Sequence, residues 1–272
     1  MLKGIFRGLS WIVLVLLVSI TAVLTTCRYQ ADRRENIPAA LAAPKTGHFV
    51  DAGDANIFVQ ERGSKDGPAV LFVHGTGAWS GLWKQTLDAT ASAGFHVIAI
   101  DLPPFGFSEK TPNLSYSKFD QGKRIVKVLE SLGVSHATLV GHSFGAGPTV
   151  EAALLHPERV TKLIIVDGAL SLQAPDANLE HRSIASRMTH AVLHMEPLRN
   201  AVVATFVTNP RFTRKLFQSL IADPEKATDW VVDVLQQPMH VEEPRPRLGG
   251  GCRSSSIRTR SPQARGQRNT RN

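Results

Sequence analysis

The chain has 272 residues, of which 43% are hydrophobic and 20% charged, so it is long and apolar enough to bury a core. Its formal charge of +8 is uneven, because residues 241–272 contain eight arginines and two glutamates while the rest is close to neutral. Cys27 and Cys252 stand near opposite ends and form neither a disulfide framework nor a zinc knuckle. Collagen-like, disulfide-scaffold and wholly disordered classes are therefore excluded.

An apolar run occupies the N-terminus. Residues 8–27 carry no charge, and a helix of that length would span roughly 30 Å, the thickness of a bilayer core. Lys3 and Arg7 precede the run, and no small-residue cleavage site follows it. We therefore predict that residues 1–27 form an uncleaved single-pass membrane anchor, with a cleaved signal as the alternative, and that the body lies on the extracytoplasmic side. Residues 28–46, polar and rich in alanine and proline, are predicted to be a linker.

The body alternates strand and helix patterns from residue 47 onward. A hairpin over residues 47–62 precedes four buried-strand patterns, at residues 69–73, 96–100, 136–140 and 160–166. Helix patterns lie at residues 79–92, 117–132 and 143–156. The residues predicted to face the core from the second helix are Phe119, Ile125, Val126, Val128 and Leu129. Repeated strand–helix–strand units predict a mostly parallel, doubly wound α/β sheet over residues 47–170.

Residues 171–240 show a different pattern, with helices only. The helix patterns in this stretch lie at residues 184–194, 198–208, 211–221 and 227–235. Prolines punctuate them. We predict that this stretch is a helical cap inserted over the sheet.

One pentapeptide, Gly141-His-Ser-Phe-Gly145, stands directly between a buried strand and a helix. A sharp strand-to-helix turn lifts a serine above the sheet, and its tight backbone requires small flanking residues. The start of the following helix adds free N–H groups and a partial positive charge. Ser143 is therefore the candidate nucleophile.

Two further segments follow strands in the same way, His74-Gly-Thr-Gly77 and Asp101-Leu-Pro-Pro-Phe-Gly-Phe-Ser108. These two segments, followed along the chain by the pentapeptide, make residues 47–240 resemble the α/β-hydrolase superfamily, in its branch with a helical cap. The resemblance implies a serine hydrolase whose oxyanion hole is formed by the backbone N–H groups of Thr76 and Phe144. The residues expected to support this geometry are His74, Gly75, Gly141 and Gly145. No cofactor and no metal ion are implied.

The other members of a catalytic triad are harder to place. A serine needs a base to take its proton and a carboxylate to orient that base, and in α/β-hydrolases both follow the serine along the chain. The sequence has no aspartate after Asp233 and no histidine after His240. Asp167, directly after the strand pattern at 160–166, is the candidate acid. The base stays unassigned, and the histidines of the cap, each more typical of a helix surface, are His181, His190, His194 and His240.

Residues 241–272 lack the periodicity of the two further strands and the acid and histidine loops that the family places late in the chain. We predict a disordered arginine-rich tail and interpret the abrupt change in composition as a shift of reading frame near codon 240. The alternatives are a functional flexible tail and a basic arm for nucleic acid or anionic lipid, although the tail lacks lysine and aromatic residues. Without those strands, the strand at 160–166 would be an exposed apolar sheet edge.

Together these features predict a serine hydrolase that acts through an acyl-enzyme on esters, lactones or carbon–carbon bonds next to a carbonyl, impaired by the missing loops. A serine at this position argues against epoxide hydrolases and haloalkane dehalogenases, which have aspartate there. The alternatives are a non-catalytic membrane-tethered binding protein and a truncated or frameshifted product. The expected partners are a small acyl substrate and, through residues 8–27, a membrane, but no nucleic acid.

Overall fold

The computed structural model describes residues 2–110, 114–168 and 210–241. The strands in these ranges are β1 (Gly47–Asp51), β2 (Asn56–Arg62), β3 (Ala69–Val73), β4 (His96–Ile100), β5 (Ala137–His142) and β6 (Val160–Val166). The helices are α1 (Leu2–Arg34), α2 (Ala39–Ala42), α3 (Lys84–Ser92), α4 (Lys118–Ser131), α5 (Ala146–Leu155), α6 (Pro210–Leu220) and α7 (Asp229–Gln236). Short 3-10 turns cover Ser80–Trp83, Ser143–Gly145, Pro157–Arg159, Pro224–Lys226 and Gln237–His240.

The strands form one sheet in the order β1-β2-β4-β3-β5-β6. β1 and β2 make the predicted antiparallel hairpin, and β2 also runs antiparallel to β4. β3, β4, β5 and β6 are parallel to one another. The prediction of a mostly parallel sheet is therefore confirmed, and the carboxyl ends of four strands share one edge, where α/β proteins bind ligands.

Both faces of the sheet are covered, as the continuous apolar strands require. On one face, Leu71 and Leu139 pack with Ile125 of α4. On the other face, Val70 packs with Leu87 of α3. Neighbouring residues along β3 thus enter different cores, which is the doubly wound arrangement that the sequence predicts.

The inward face of α4 differs from the prediction at one position. Phe119 is exposed, and its ring lies 4.2 Å from the Lys123 ammonium, so the assignment of Phe119 to the core is wrong. The side chains of Gln121 and Arg124 are buried instead. Arg124 can be buried because its guanidinium donates two hydrogen bonds, of 2.9 and 2.7 Å, to the carboxylate of Asp54.

The N-terminal helix α1 extends beyond the apolar run and ends at two arginines, Arg33 and Arg34. Across the residues that the structure describes, no helix combines the length and the hydropathy needed to cross a membrane. The anchor predicted over residues 8–27 is therefore not supported. The location of the body outside the cytoplasm stays a prediction.

The predicted linker and the predicted start of the tail both differ from the structure. Ile37 pairs with Val241 in an isolated parallel bridge, and the Ile37 N–H donates to the His240 carbonyl at 3.1 Å. Val241 is buried, so the packed body continues through this residue instead of ending at His240. α6 and α7 match two predicted cap helices, whereas the helices predicted at 184–194 and 198–208 and the tail from 242 lie outside the described residues.

β6 has a neighbouring strand on one side only within the described part of the chain. The exposed fractions of Leu163, Ile164 and Val166 are 40%, 44% and 42%, although β6 is an apolar strand. Within the described residues the sheet therefore presents the exposed apolar edge that the sequence predicts, a template for association with other chains.

We predict that Leu163→Lys lowers the free energy of unfolding by no more than about 1 kcal/mol and reduces aggregation, because its side chain already contacts solvent. Leu139→Lys is the matched control, since Leu139 pairs with Leu163 in the sheet but is fully buried. It should prevent folding, because it buries an unpaired charge. Urea denaturation and light scattering measure the two effects, and an equal loss of stability in both variants would contradict the exposed edge.

Candidate active site

Ser143 occupies a sharp turn between β5 and α5. Its φ is +48°, a left-handed conformation that is uncommon for any residue other than glycine. β5 ends at His142, and the 3-10 turn Ser143–Gly145 leads directly into α5. The structure therefore places Ser143 on the strand-to-helix elbow that the sequence predicts, at the carboxyl edge of the sheet.

The glycines on either side of the serine are required by packing. A Cβ on Gly141 would lie 2.1 Å from the Thr149 Oγ1 and 2.8 Å from the Gly145 carbonyl oxygen. A Cβ on Gly145 would lie 2.7 Å from the His74 carbonyl oxygen. These distances are too short for any side chain, so the elbow can be this tight only with glycine at both positions.

The loop after β3 lies against the elbow. A Cβ on Gly75 would be 3.2 Å from the Cβ of Ser143 and 2.8 Å from the Nδ1 of His142. The next residues form a turn in which the Ala78 N–H donates to the Gly75 carbonyl at 3.2 Å, and this turn leaves Thr76 exposed. We refer to residues 74–80 as the oxyanion loop, after the role predicted for Thr76; the loop approaches Ser143 at Gly75.

Phe144 follows Ser143 in the 3-10 turn. N–H groups in the first turn of a helical segment have no partner within that segment. The backbone N–H of Phe144 therefore points out of the helix start, where the helix dipole favours negative charge. The two predicted oxyanion donors thus come from segments that meet at Ser143.

His74 is buried and has a structural position. Its Nε2 accepts the Leu102 N–H at 3.0 Å, which places its proton on Nδ1, and Nδ1 donates to the Gly75 carbonyl at 2.8 Å. Burial lowers the pKa of His74 to about 4, with a smaller effect from His142, against the bond to Gly75. Because both ring nitrogens are engaged and the ring is neutral, His74 holds the two loops together and is not placed to act as a base.

Asp101 joins the same two loops from the other side, since it follows β4 and binds the loop after β3. Its carboxylate accepts the Ser80 N–H at 2.7 Å and the Phe107 N–H at 2.8 Å. Burial raises the pKa of Asp101 to about 6, against the opposing effect of these hydrogen bonds and of Lys110. His74 thus holds the loop after β4 while Asp101 holds the loop after β3, so two reciprocal contacts join the loops.

Asp167, the candidate acid, is the first residue after β6. His142 pairs with Val166 at the ends of the neighbouring parallel strands β5 and β6. The next residue of each strand, Ser143 and Asp167, therefore lies at the same edge of the sheet. Asp167 also has a positive φ, +47°, which directs the chain sharply away from the strand. Its side chain is exposed. The structure therefore places the candidate acid at the end of the strand next to β5, which ends at the candidate nucleophile.

The base stays unassigned. Among the described residues, no histidine makes a hydrogen bond to Ser143. His240 is exposed, and its carbonyl accepts the Ile37 N–H. His181, His190 and His194 lie outside the described residues. The described part of the chain also contains no group of three or more potential ligands that could hold a metal ion.

Two aromatic residues at the site were missed by the sequence analysis. The Phe105 ring meets His74 edge-on at 5.8 Å and Phe144 at 5.4 Å, so it bridges the loop and the elbow. The buried Trp79 indole donates from the oxyanion loop to the Val234 carbonyl at 2.6 Å. Both residues lie in loops that follow strands of the sheet, and this position pointed to the site. Their contact partners are too distant in sequence to be inferred.

Comparison with known proteins establishes the family. The family model described as alpha/beta hydrolase fold matches residues 68–218, more than half of the chain, so this chain belongs to that family. It is 38% identical over 105 residues to an epoxide hydrolase of Caballeronia sordidicola, and the matched stretch covers 38% of this chain and 31% of the relative. It is 31% identical over 131 residues to a 2-hydroxymuconate semialdehyde hydrolase of Pseudomonas sp. strain CF600, with coverage of 47% and 45%.

A solved structure shows the same fold. A variant of the meta-cleavage product hydrolase of Pseudomonas fluorescens IP01 superposes with a TM-score of 0.54 at 22% identity, over 71% of this chain and 64% of that one. The stretches that match the two curated relatives span about a third to less than half of the relatives' length. The resemblance to α/β-hydrolases is thus confirmed at the level of family and fold.

The buried, neutral His74 generates a prediction about pH. Its folded pKa of about 4 lies below the unfolded value of 6.5, so its contribution to stability is present above pH 6.5 and is lost progressively as the pH falls from 6.5 to 4. We predict that the stability advantage of the wild type over His74→Gln shrinks by about 2 to 3 kcal/mol between pH 7 and pH 4.5. Glutamine can still accept the Leu102 N–H but does not titrate. Urea unfolding at both pH values measures the difference, and an advantage that stays constant would contradict a neutral, buried imidazole.

Proposed function

We propose that this protein is a serine hydrolase in which Ser143 attacks a carbonyl carbon. The single observation that carries the proposal is the left-handed elbow, with φ of +48° at Ser143. A strained conformation at a non-glycine residue persists only where the surrounding structure fixes it, and such residues concentrate at active sites. Here the elbow presents a hydroxyl at the edge where parallel sheets bind ligands.

The chemistry follows from the groups around the serine. As the Ser143 Oγ bonds to the carbonyl carbon, its proton passes to a base, and the carbonyl oxygen becomes negative. The Thr76 and Phe144 N–H groups would stabilise that charge, and one such donor typically contributes roughly 3 to 4 kcal/mol. The leaving group then departs with the proton, and water hydrolyses the acyl-enzyme. In this proposal Asp167 is the acid that orients the base.

The substrate class follows from the nucleophile and the relatives. The curated relatives are named as an epoxide hydrolase and a hydrolase of a semialdehyde. A serine nucleophile is suited to carbonyl chemistry, because its acyl intermediate is opened by water. We therefore favour an ester, a lactone or a carbon–carbon bond next to a carbonyl over an epoxide. Among the described residues no histidine makes a hydrogen bond to Ser143, so the base that this proposal requires is still to be identified.

We predict that the full chain hydrolyses p-nitrophenyl butyrate and that Ser143→Ala lowers kcat by at least about a thousandfold. Ser92→Ala is the matched control, because Ser92 is exposed at the end of α3 and its hydroxyl donates only to the Asp88 carbonyl at 2.8 Å. This control should retain the wild-type rate. Absorbance at the nitrophenolate band gives kcat and KM. Equal rates in the wild type and Ser143→Ala, or no turnover in either, would refute the proposal and favour a non-catalytic binding protein.

A further inference from the structure

Trp79 connects the oxyanion loop to a helix far away in the sequence. It directly follows the turn that contains Thr76, and its side chain is buried. The indole Nε1–H donates to the Val234 carbonyl in α7 at 2.6 Å. This bond joins the loop beside Ser143 to α7, the last helix of the predicted cap.

The ring of Trp79 is held in one orientation. It packs edge-to-face with Phe107, with centroids 5.0 Å apart and planes at 87°. On another side it covers Gly81, where a Cβ would lie 2.2 Å from the indole Cζ2. Since the ring cannot shift without displacing these neighbours, its hydrogen bond fixes the distance between the loop and α7.

The acceptor is available for a local reason. In an α-helix the Val234 carbonyl would accept from the N–H four residues later, but that residue is Pro238, which has none. The Gln237 N–H bonds to this carbonyl instead, as the helix closes with a tighter turn. The second lone pair of the oxygen remains open to the indole.

α7 is itself anchored to the body. Val232, Val234 and Leu235 are buried, and the Thr228 hydroxyl accepts the Val231 N–H at the start of the helix. Val234 also lies in an apolar cluster with Trp79, Phe58 and Phe107. Helix and loop therefore meet across a packed apolar contact, with the indole bond at its centre.

We infer that Trp79 is a positioning residue that couples the placement of α7 to the oxyanion hole. The inference rests on the proposed function for its catalytic consequence. His74 and Ser80 fix the two ends of the oxyanion loop to the loop after β4, through Leu102 and Asp101. Trp79 adds a third contact, three residues from Thr76, and this contact depends on α7. Any displacement of α7 therefore reaches the N–H that would hold the oxyanion.

Trp79→Phe tests the inference because it removes the indole donor and keeps an aromatic ring. Trp230→Phe is the matched control, since Trp230 lies in the same helix but is 39% exposed. In the full chain, hydrogen–deuterium exchange of a peptide covering residues 75–80 should accelerate by about two- to tenfold in Trp79→Phe, the range expected for one net hydrogen bond. The control should exchange like the wild type.

Kinetics with p-nitrophenyl butyrate separate positioning from general destabilisation. Trp79→Phe should lower kcat and kcat/KM by the same factor with KM unchanged, because the hole is used only in the transition state. Should the variant fold poorly, the wild type gives a second measurement: the Trp79 indole N–H should be protected from exchange in ¹⁵N NMR spectra, and that of Trp230 should not.

Unchanged exchange at residues 75–80 in Trp79→Phe, or an unprotected Trp79 indole, would overturn the coupling. Faster exchange without a change in kcat would overturn its link to the oxyanion hole. If the wild type shows no turnover that depends on Ser143, the proposed function fails, and the exchange data alone decide whether Trp79 positions the loop. The two failures are therefore distinguishable.

Discussion

The left-handed backbone at Ser143 is the constraint on which the rest of the site depends. A non-glycine residue in this conformation costs of the order of 1 to 3 kcal/mol, so its surroundings must impose it. Three close approaches do so: a Cβ on Gly141 or Gly145 would meet a backbone oxygen within 2.8 Å, and a Cβ on Gly75 would meet the His142 ring and the Ser143 Cβ. Ser143 itself is half-buried at the carboxyl edge of the sheet, and these glycines bring the elbow, α5 and the loop after β3 into close contact around it.

The reciprocal bonds of His74 and Asp101 extend this rigidity to the neighbouring loops. Each residue ends or follows a buried strand and reaches to the backbone of the other loop. Both are titratable groups in a fully buried setting, and burial favours the neutral form of each. They act as fixed polar connectors, and the exposed Thr76 lies on the stretch of chain that they hold in place.

Much of this arrangement could be predicted from the sequence, and its limits have a physical cause. The bounds of β3 and β4 match their apolar runs, because a strand buried on both faces has a local signature. The bounds of β6 match its run as well, although most of its residues are exposed. The elbow was predictable because so tight a turn requires glycine on both sides of the serine, and this requirement is visible within five residues of sequence. By contrast, Arg124 is buried only because Asp54, 70 residues away, pairs with it, and Phe119 is exposed despite its apolarity. Contacts such as Trp79 with Val234 or Ile37 with Val241 leave no periodicity to read.

The reactivity of the Ser143 hydroxyl is the central claim, and intact-mass detection of a fluorophosphonate adduct on the full chain tests it without requiring complete turnover. A single adduct on the wild type, mapped by peptide digestion to Ser143 and absent in Ser143→Ala, is the predicted result. It would mean that a base activates this serine, and it would direct the search for that base to the histidines of residues 171–240. Folded wild-type protein that stays unlabelled would contradict the claim, because the elbow would then hold a serine with no catalytic partner.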